Sequence, residues 1–176
     1  MKKDYATAQA RRIITGVDEY GKSCFVSDEE TPVRFSSEAN TKCEIWRTGT
    51  LPVPVDNDDG LEGGVYTEPN DGGVVYRIVT FRPDSEWDIS AGFGDSHGPL
   101  KGMVPPEEAG GIVGLHVTDT VDIVTVLSGE LTAVMETEET TLYPGDTLVQ
   151  RGTKHSWNNR TTEPTTAAVL MISATR

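Results

Sequence analysis

Two of the three histidines in this chain, His116 and His155, stand near the ends of one stretch, residues 114–159. Imidazole is the side chain whose ordinary pKa lets it take up or release a proton near neutrality. Thr118 lies two residues after His116, Asp122 sits in the apolar run that follows, and Trp157 lies two residues after His155. Residues two apart on a strand share a face, so extended backbone pairs His116 with Thr118 and His155 with Trp157. Such a set lining one cavity can carry general acid–base chemistry. The plainer alternative is two histidines satisfied by neighbouring carbonyls, with Trp157 as core filling.

The elements that must position these residues are strands. Segments 121–127 (VDIVTVL), 131–137, 140–143, 147–150, 155–157 and 165–173 are short, β-branched or alternating, and separated by turn signals. Those signals include Ser128-Gly129-Glu130 and Tyr143-Pro144-Gly145-Asp146. Strands of four to eight residues between such turns, without a helical period, predict an all-β sandwich or barrel. Asp122, Val124 and Val126 share one face of their strand. Gly129, Gly145 and Gly152 are read as turn glycines with positive φ.

The spacing resembles that of the cupin superfamily, whose fold is a double-stranded β-helix, or jelly-roll barrel. Its first motif runs H-x-H, three or four residues, E, six residues, G. Here His116-Val117-Thr118, three residues, Asp122, six residues and Gly129 fit that frame. The second motif runs G, five residues, P-x-G-x-x-H, three residues, N. Gly145, Gln150-Arg151-Gly152, His155 and Asn159 fit it with one residue fewer after Gly145. Thr118 stands where the family has a second histidine, Asp122 where it has glutamate, and Gln150 where it has proline.

The resemblance implies His116, Asp122 and His155 as ligands of one divalent metal ion (Fe, Zn, Ni or Mn). The position at Thr118 would then be left to water or substrate. A metal-free site, with His116 or His155 as general base, is the alternative. The resemblance also implies a homodimer, because N-terminal strands of cupins often pack across a subunit interface.

One domain over 1–176 is expected: N-terminal strands in 1–48, a loop in 49–73, a strand and a lid-like loop in 74–111, and the core motifs in 112–176. Residues 11–26 predict a hairpin turning at 18–22, and 42–47 (KCEIWR) and 74–81 (VVYRIVTF) predict strands. The Pro, Asp, Gly and Asn of 49–73 predict a long loop with a disordered centre over 56–64. Arg77 and Arg82 each face either a substrate carboxylate or solvent. Within 83–111, His97 is either a third imidazole for the site or a solvated loop residue, and Trp87 or Phe93 could cover the barrel mouth.

Fifteen basic against 28 acidic residues give a formal net charge of −13, which argues against nucleic acid or an anionic membrane as partner. The absence of an apolar span or signal-like start predicts a cytoplasmic protein. Cys24 and Cys43 have no metal spacing and are expected reduced, although a disulfide between them is open. No phosphate loop, Ser-His-Asp order or CxxC pair occurs.

The expected function is a small-molecule enzyme of the cupin type. It would do metal-assisted lyase, decarboxylase, isomerase or dehydratase chemistry on a small oxygenated acid or aromatic. His116, His155 and Asp122 would be catalytic, with Thr118, Trp157 and Arg77 contacting substrate. An iron-dependent dioxygenase and a non-catalytic ligand-binding cupin are the alternatives. No helix-turn-helix accompanies the barrel, which weakens a regulator reading.

Overall fold

A computed structural model describes residues 4–56, 60–88 and 102–176; Phe93 and His97 lie outside them. The chain runs through eleven strands: β1 (Arg11–Val17), β2 (Ser23–Glu30), β3 (Arg34–Ser36), β4 (Asn40–Thr48), β5 (Val74–Phe81), β6 (Thr120–Ser128), β7 (Leu131–Val134), β8 (Glu139–Leu142), β9 (Thr147–Arg151), β10 (Ser156–Asn158) and β11 (Thr165–Ser173). All pairings are antiparallel. One sheet has the order β3-β4-β5-β11-β6-β9, and a second has β10-β7-β8. Single bridges at His116 and Met103 lengthen the second sheet beyond β10. The two sheets face each other as a double-stranded β-helix, and β1-β2 forms a separate hairpin. Among the described residues no helix is long and apolar enough to cross a membrane.

Local chemistry sets these elements. Asp18 closes the first hairpin: its Oδ1 accepts from the backbone N of Tyr20 and of Lys22, both at 2.9 Å. Gly129 turns β6 into β7 at φ 78°, a region that favours glycine, and a Cβ there would overlap Thr165. Gly145 and Gly152 are likewise left-handed. Along β6 the buried side chains are Thr120, Asp122, Val124 and Val126, so the inner face passes from a polar half to an apolar one.

One end of the barrel is sealed by Val124, Val126, Leu131, Leu142 and Ala167, with Phe81, Leu148, Trp157 and Val169 packed on them. Removal of such apolar surface from water is the main stabilising term. The other end is polar.

The segment between β4 and β5 contains no strand among its described residues, as expected, but the expected disorder over 56–64 needs correction. Residues 57–59 lie outside the described part. The neighbouring residues are fastened by Arg47: Nε donates to Gly60 O at 2.7 Å, Nη2 to Glu62 O at 2.6 Å and Nη1 to Gly64 O at 3.1 Å. Its guanidinium also lies over the Tyr66 ring, 3.7 Å from the centroid. A planar fork with five donors can satisfy several loop carbonyls at once. Cys24 and Cys43 are both free.

Arg47 Nη1 also donates to Glu44 Oε2 at 2.9 Å, and Glu44 has no exposure. Arg47→Met therefore takes from buried Glu44 its closest counter-charge and leaves three loop carbonyls without their donor. A loss of about 3–5 kcal/mol is expected, read as a lower urea midpoint with intact barrel circular dichroism before the transition. A variant as stable as the wild type would show that this cluster does not hold the loop.

Candidate functional site

His116 and His155 are directly opposed in an antiparallel bridge, the backbone N of each donating to the carbonyl of the other at 2.9 Å. Opposed residues project to the same face, and the rings meet with centroids 4.2 Å apart and planes tilted by 50°. Trp157 sets its ring edge-on to His155, at 5.6 Å. The two sequence motifs are therefore joined by backbone hydrogen bonds at their first and last histidines.

A cavity of about 110 Å³ opens beside this pair, inside the barrel. His116, Thr118, Asp122, His155, Trp157 and Arg77 all line it. Phe81, Val124, Trp157 and Val169 belong both to its lining and to the apolar plug, so the cavity has a greasy floor and a polar wall.

The ring nitrogens are not equivalent. His116 Nδ1 lies 2.8 Å from Gly114 O. A carbonyl only accepts, so this nitrogen carries the hydrogen and Nε2 keeps its lone pair in the neutral ring. His155 Nδ1 lies 2.9 Å from Thr153 O and 2.7 Å from Gln150 Nε2. Donation to Thr153 leaves the lone pair on Nε2, whereas acceptance from Gln150 places the proton there. His155 thus has two neutral tautomers within one heavy-atom frame. Gln150, at the motif's proline position, supplies the second of them.

Burial pulls the His155 pKa down to about 4, the His116 charge pulls the same way, and the Thr153 carbonyl opposes both. Burial and Lys42 also lower His116. Both rings are therefore neutral at pH 7. Asp122 moves the other way, up to about 6: burial is the main cause, while a hydrogen bond from Thr120 and the charge of Arg77 oppose it.

Arg77 is neither solvated nor on the outer face: it is 2 % exposed, on the inward side of β5 with Val75 and Val79. Its Nη2 stands 3.6 Å from Glu44 Oε1, an ion pair too long for a hydrogen bond, and Nε and Nη2 make no hydrogen bond. Lys42 was not singled out in the sequence, yet it lines the same cavity. Burial and the neighbouring Arg77 charge bring its pKa down to about 7, against Glu44. Its signal was the inward row Asn40, Lys42 and Glu44 on β4, polar where an apolar face is expected. Arg82 pairs with Glu38 at 2.9 Å, and Trp87 is not among the described residues lining the cavity.

The expected metal ligand set is not assembled. Among the described residues, no three His, Cys, Asp or Glu side chains come close enough to hold one ion. His116 and His155 meet, while Asp122 belongs to the facing sheet, where it is opposed by Met171 and Gln150. A two-imidazole pair without a third protein donor does not fit the three- or four-ligand centres typical of such ions.

Two antiparallel sheets facing each other around a cavity define the class as a double-stranded β-helix protein. The family model described as Cupin domain matches residues 103–173. It is 28 % identical over 158 residues to phomopsin biosynthesis cluster protein C' of Diaporthe leptostromiformis, covering 85 % of this chain and 70 % of that one. It is also 28 % identical over 156 residues to the cupin-domain-containing oxidoreductase fogC of Aspergillus ruber, covering 85 % of this chain and 64 % of that one. A double-stranded β-helix protein from Klebsiella pneumoniae superposes with a TM-score of 0.45 at 16 % identity, over 81 % of this chain and 84 % of the other.

Asp122 and His155 make opposite contributions to stability against pH. A carboxylate raised from 3.8 to about 6 holds its proton more tightly folded than unfolded, so its contribution falls as pH rises through 4–6. An imidazole lowered from 6.5 to about 4 contributes stability that rises between those values. Asp122→Asn removes the falling part. The variant should gain on the wild type by on the order of 3 kcal/mol between pH 4 and 7, measured by urea unfolding at each pH. Parallel curves would show that Asp122 is not held in its neutral form.

Proposed function

We propose that this chain is a small-molecule enzyme of the cupin type that moves protons on a small oxygenated acid, in the lyase, isomerase or dehydratase class. The observation that carries this reading is the pairing of two neutral histidines beside a cavity whose other wall holds Arg77 and Lys42. His116, with Nδ1 committed to Gly114, offers Nε2 as a base. His155 can give or take a proton at Nε2 by exchanging partners between Thr153 and Gln150. Positive charge opposite them favours the enolate or enediolate that forms when a proton leaves the carbon next to a carbonyl or carboxylate. Relatives named for biosynthesis clusters support a small molecule as substrate.

The relative named as an oxidoreductase favours a second reading, oxygen-dependent cleavage at the same cavity. Turnover that stops without oxygen would select it. The homodimer is part of the same proposal: the β1-β2 hairpin leaves Val17 and Phe25 67 % and 75 % exposed, an apolar surface suited to a second copy. Phe25→Glu should turn a dimer into a monomer in sedimentation velocity, and an unchanged sedimentation coefficient would remove the hairpin from any interface.

The reaction is tested by incubating the chain in D2O with a panel of small hydroxy and oxo acids. Deuterium entry at the carbon next to the carboxyl or carbonyl is followed by NMR. Exchange should fall about 10²- to 10⁴-fold in His116→Ala and His155→Ala. Exchange that survives both substitutions would overturn the reading.

A further inference from the structure

The cavity wall facing the histidines carries polar atoms that the fold itself does not satisfy. Arg77 keeps Nε and Nη2 without hydrogen bonds at 2 % exposure, and Asp122 keeps Oδ1 without one at 5 %. Buried donors and acceptors in folded proteins are almost always paired, because each one left alone loses its hydration without replacement. These orphans lie in one cavity and on one sheet, with Arg77 on β5 and Asp122 on β6, β11 running between them. The two side chains feel each other electrostatically yet form no ion pair, because Arg77 reaches toward Glu44 instead. Val169 and Met171 of β11 fill the floor between them.

We infer that the site takes a small hydroxy-carboxylic acid, its carboxylate on Arg77 and its hydroxyl on Asp122. This inference rests on the proposed function only in taking the cavity as the substrate site. A carboxylate is the planar acceptor that a guanidinium edge matches, and the Lys42 amine on the adjoining strand lines the same cavity. A hydroxyl suits Asp122 in either protonation state, because it can donate to the carboxylate or accept from the acid. A carbonyl could pair only with the acid. Val124, Met171 and Trp157 leave room for a short hydrocarbon tail against apolar wall. At about 110 Å³ the space is smaller than cavities of roughly 150 Å³ that admit benzene, which limits the acid to a few carbons.

The probe is 2-hydroxybutyrate, titrated into the full chain by calorimetry and by saturation-transfer NMR. Butyrate, which lacks the hydroxyl, and 2-hydroxybutyramide, which lacks the charge, are the controls. Wild type should bind the hydroxy acid at least tenfold more tightly than either control. Arg77→Met should abolish that preference over the amide. Asp122→Val should bind 2-hydroxybutyrate and butyrate alike while still preferring both to the amide. If Arg77→Met does not fold, the wild-type controls and Asp122→Val decide alone. Equal affinity for the three compounds, or no binding of any, would overturn the inference, the cavity then holding only water. The same titration on His155→Ala separates the two ideas. Selective binding without proton exchange in any protein leaves the hydroxy-acid site standing and sinks the enzyme. Exchange without selectivity does the reverse.

Discussion

Glu44 has no exposure to solvent, and burial of a carboxyl group is costly unless charge and hydrogen bonds replace its lost hydration. Three groups provide that replacement: Arg47 at 2.9 Å, the backbone N of Tyr66 at 2.9 Å and the more distant Arg77. Much of the polar half of the barrel follows from this constraint. Arg47 faces Glu44, so its remaining donors meet the carbonyls of the loop before β5. Arg77 leans toward Glu44 without reaching hydrogen-bond distance, and two of its nitrogens are left for the cavity. Lys42, two residues from Glu44 on the same strand, sits beside Arg77 in low dielectric and loses part of its affinity for a proton.

Across the cavity the organising contact is neutral. The His116–His155 bridge is made by backbone, so ring separation is set by strand geometry. Two imidazolium ions at that spacing in a desolvated site would repel strongly, and both pKa values are accordingly lowered. A neutral pair stands opposite a cationic wall: the charged groups lie on β4 and β5, the neutral imidazoles at the two motif histidines. Their difference lies in what Nδ1 meets, one carbonyl for His116, a carbonyl and an amide for His155.

The strands were largely readable from the chain because most show only one covered face. β5 and β11 were expected over the residues they occupy, and β6 extends its expected run by one residue at each end. The motif spacing likewise placed His116, Thr118, Asp122, His155 and Trp157 around one cavity. Arg77 and Lys42 were harder for a physical reason. β4 is covered on both sides: Thr41 Oγ1 donates to Tyr5 O and Cys43 Sγ contacts Ala8 O on one face, while the cavity occupies the other. Alternation then says which residues share a face but not which face is inward. A charged row normally marks the solvent side, and here it marks the interior. The metal set failed for a related reason. Motif spacing reports position along strands, whereas Asp122 and the two histidines belong to opposite sheets, and the gap between the sheets is what sequence spacing does not carry.

Opposite sheets also keep the cavity's polar groups from the histidines. The apolar plug fixes the distance between them at the floor, where Phe81, Val124 and Val169 of the larger sheet meet Leu131 and Trp157 of the smaller. Above that floor the walls cannot collapse to pair Asp122 or Arg77 with the histidines, because both strands are locked in register by β11. Rigid packing below thus preserves unsatisfied polarity above. A flexible site would relax to pair its own charges. This one keeps a donor edge on one strand and a carboxyl on another, held apart by the width of a central strand, and their proper partner is a molecule that brings both complements in one short frame.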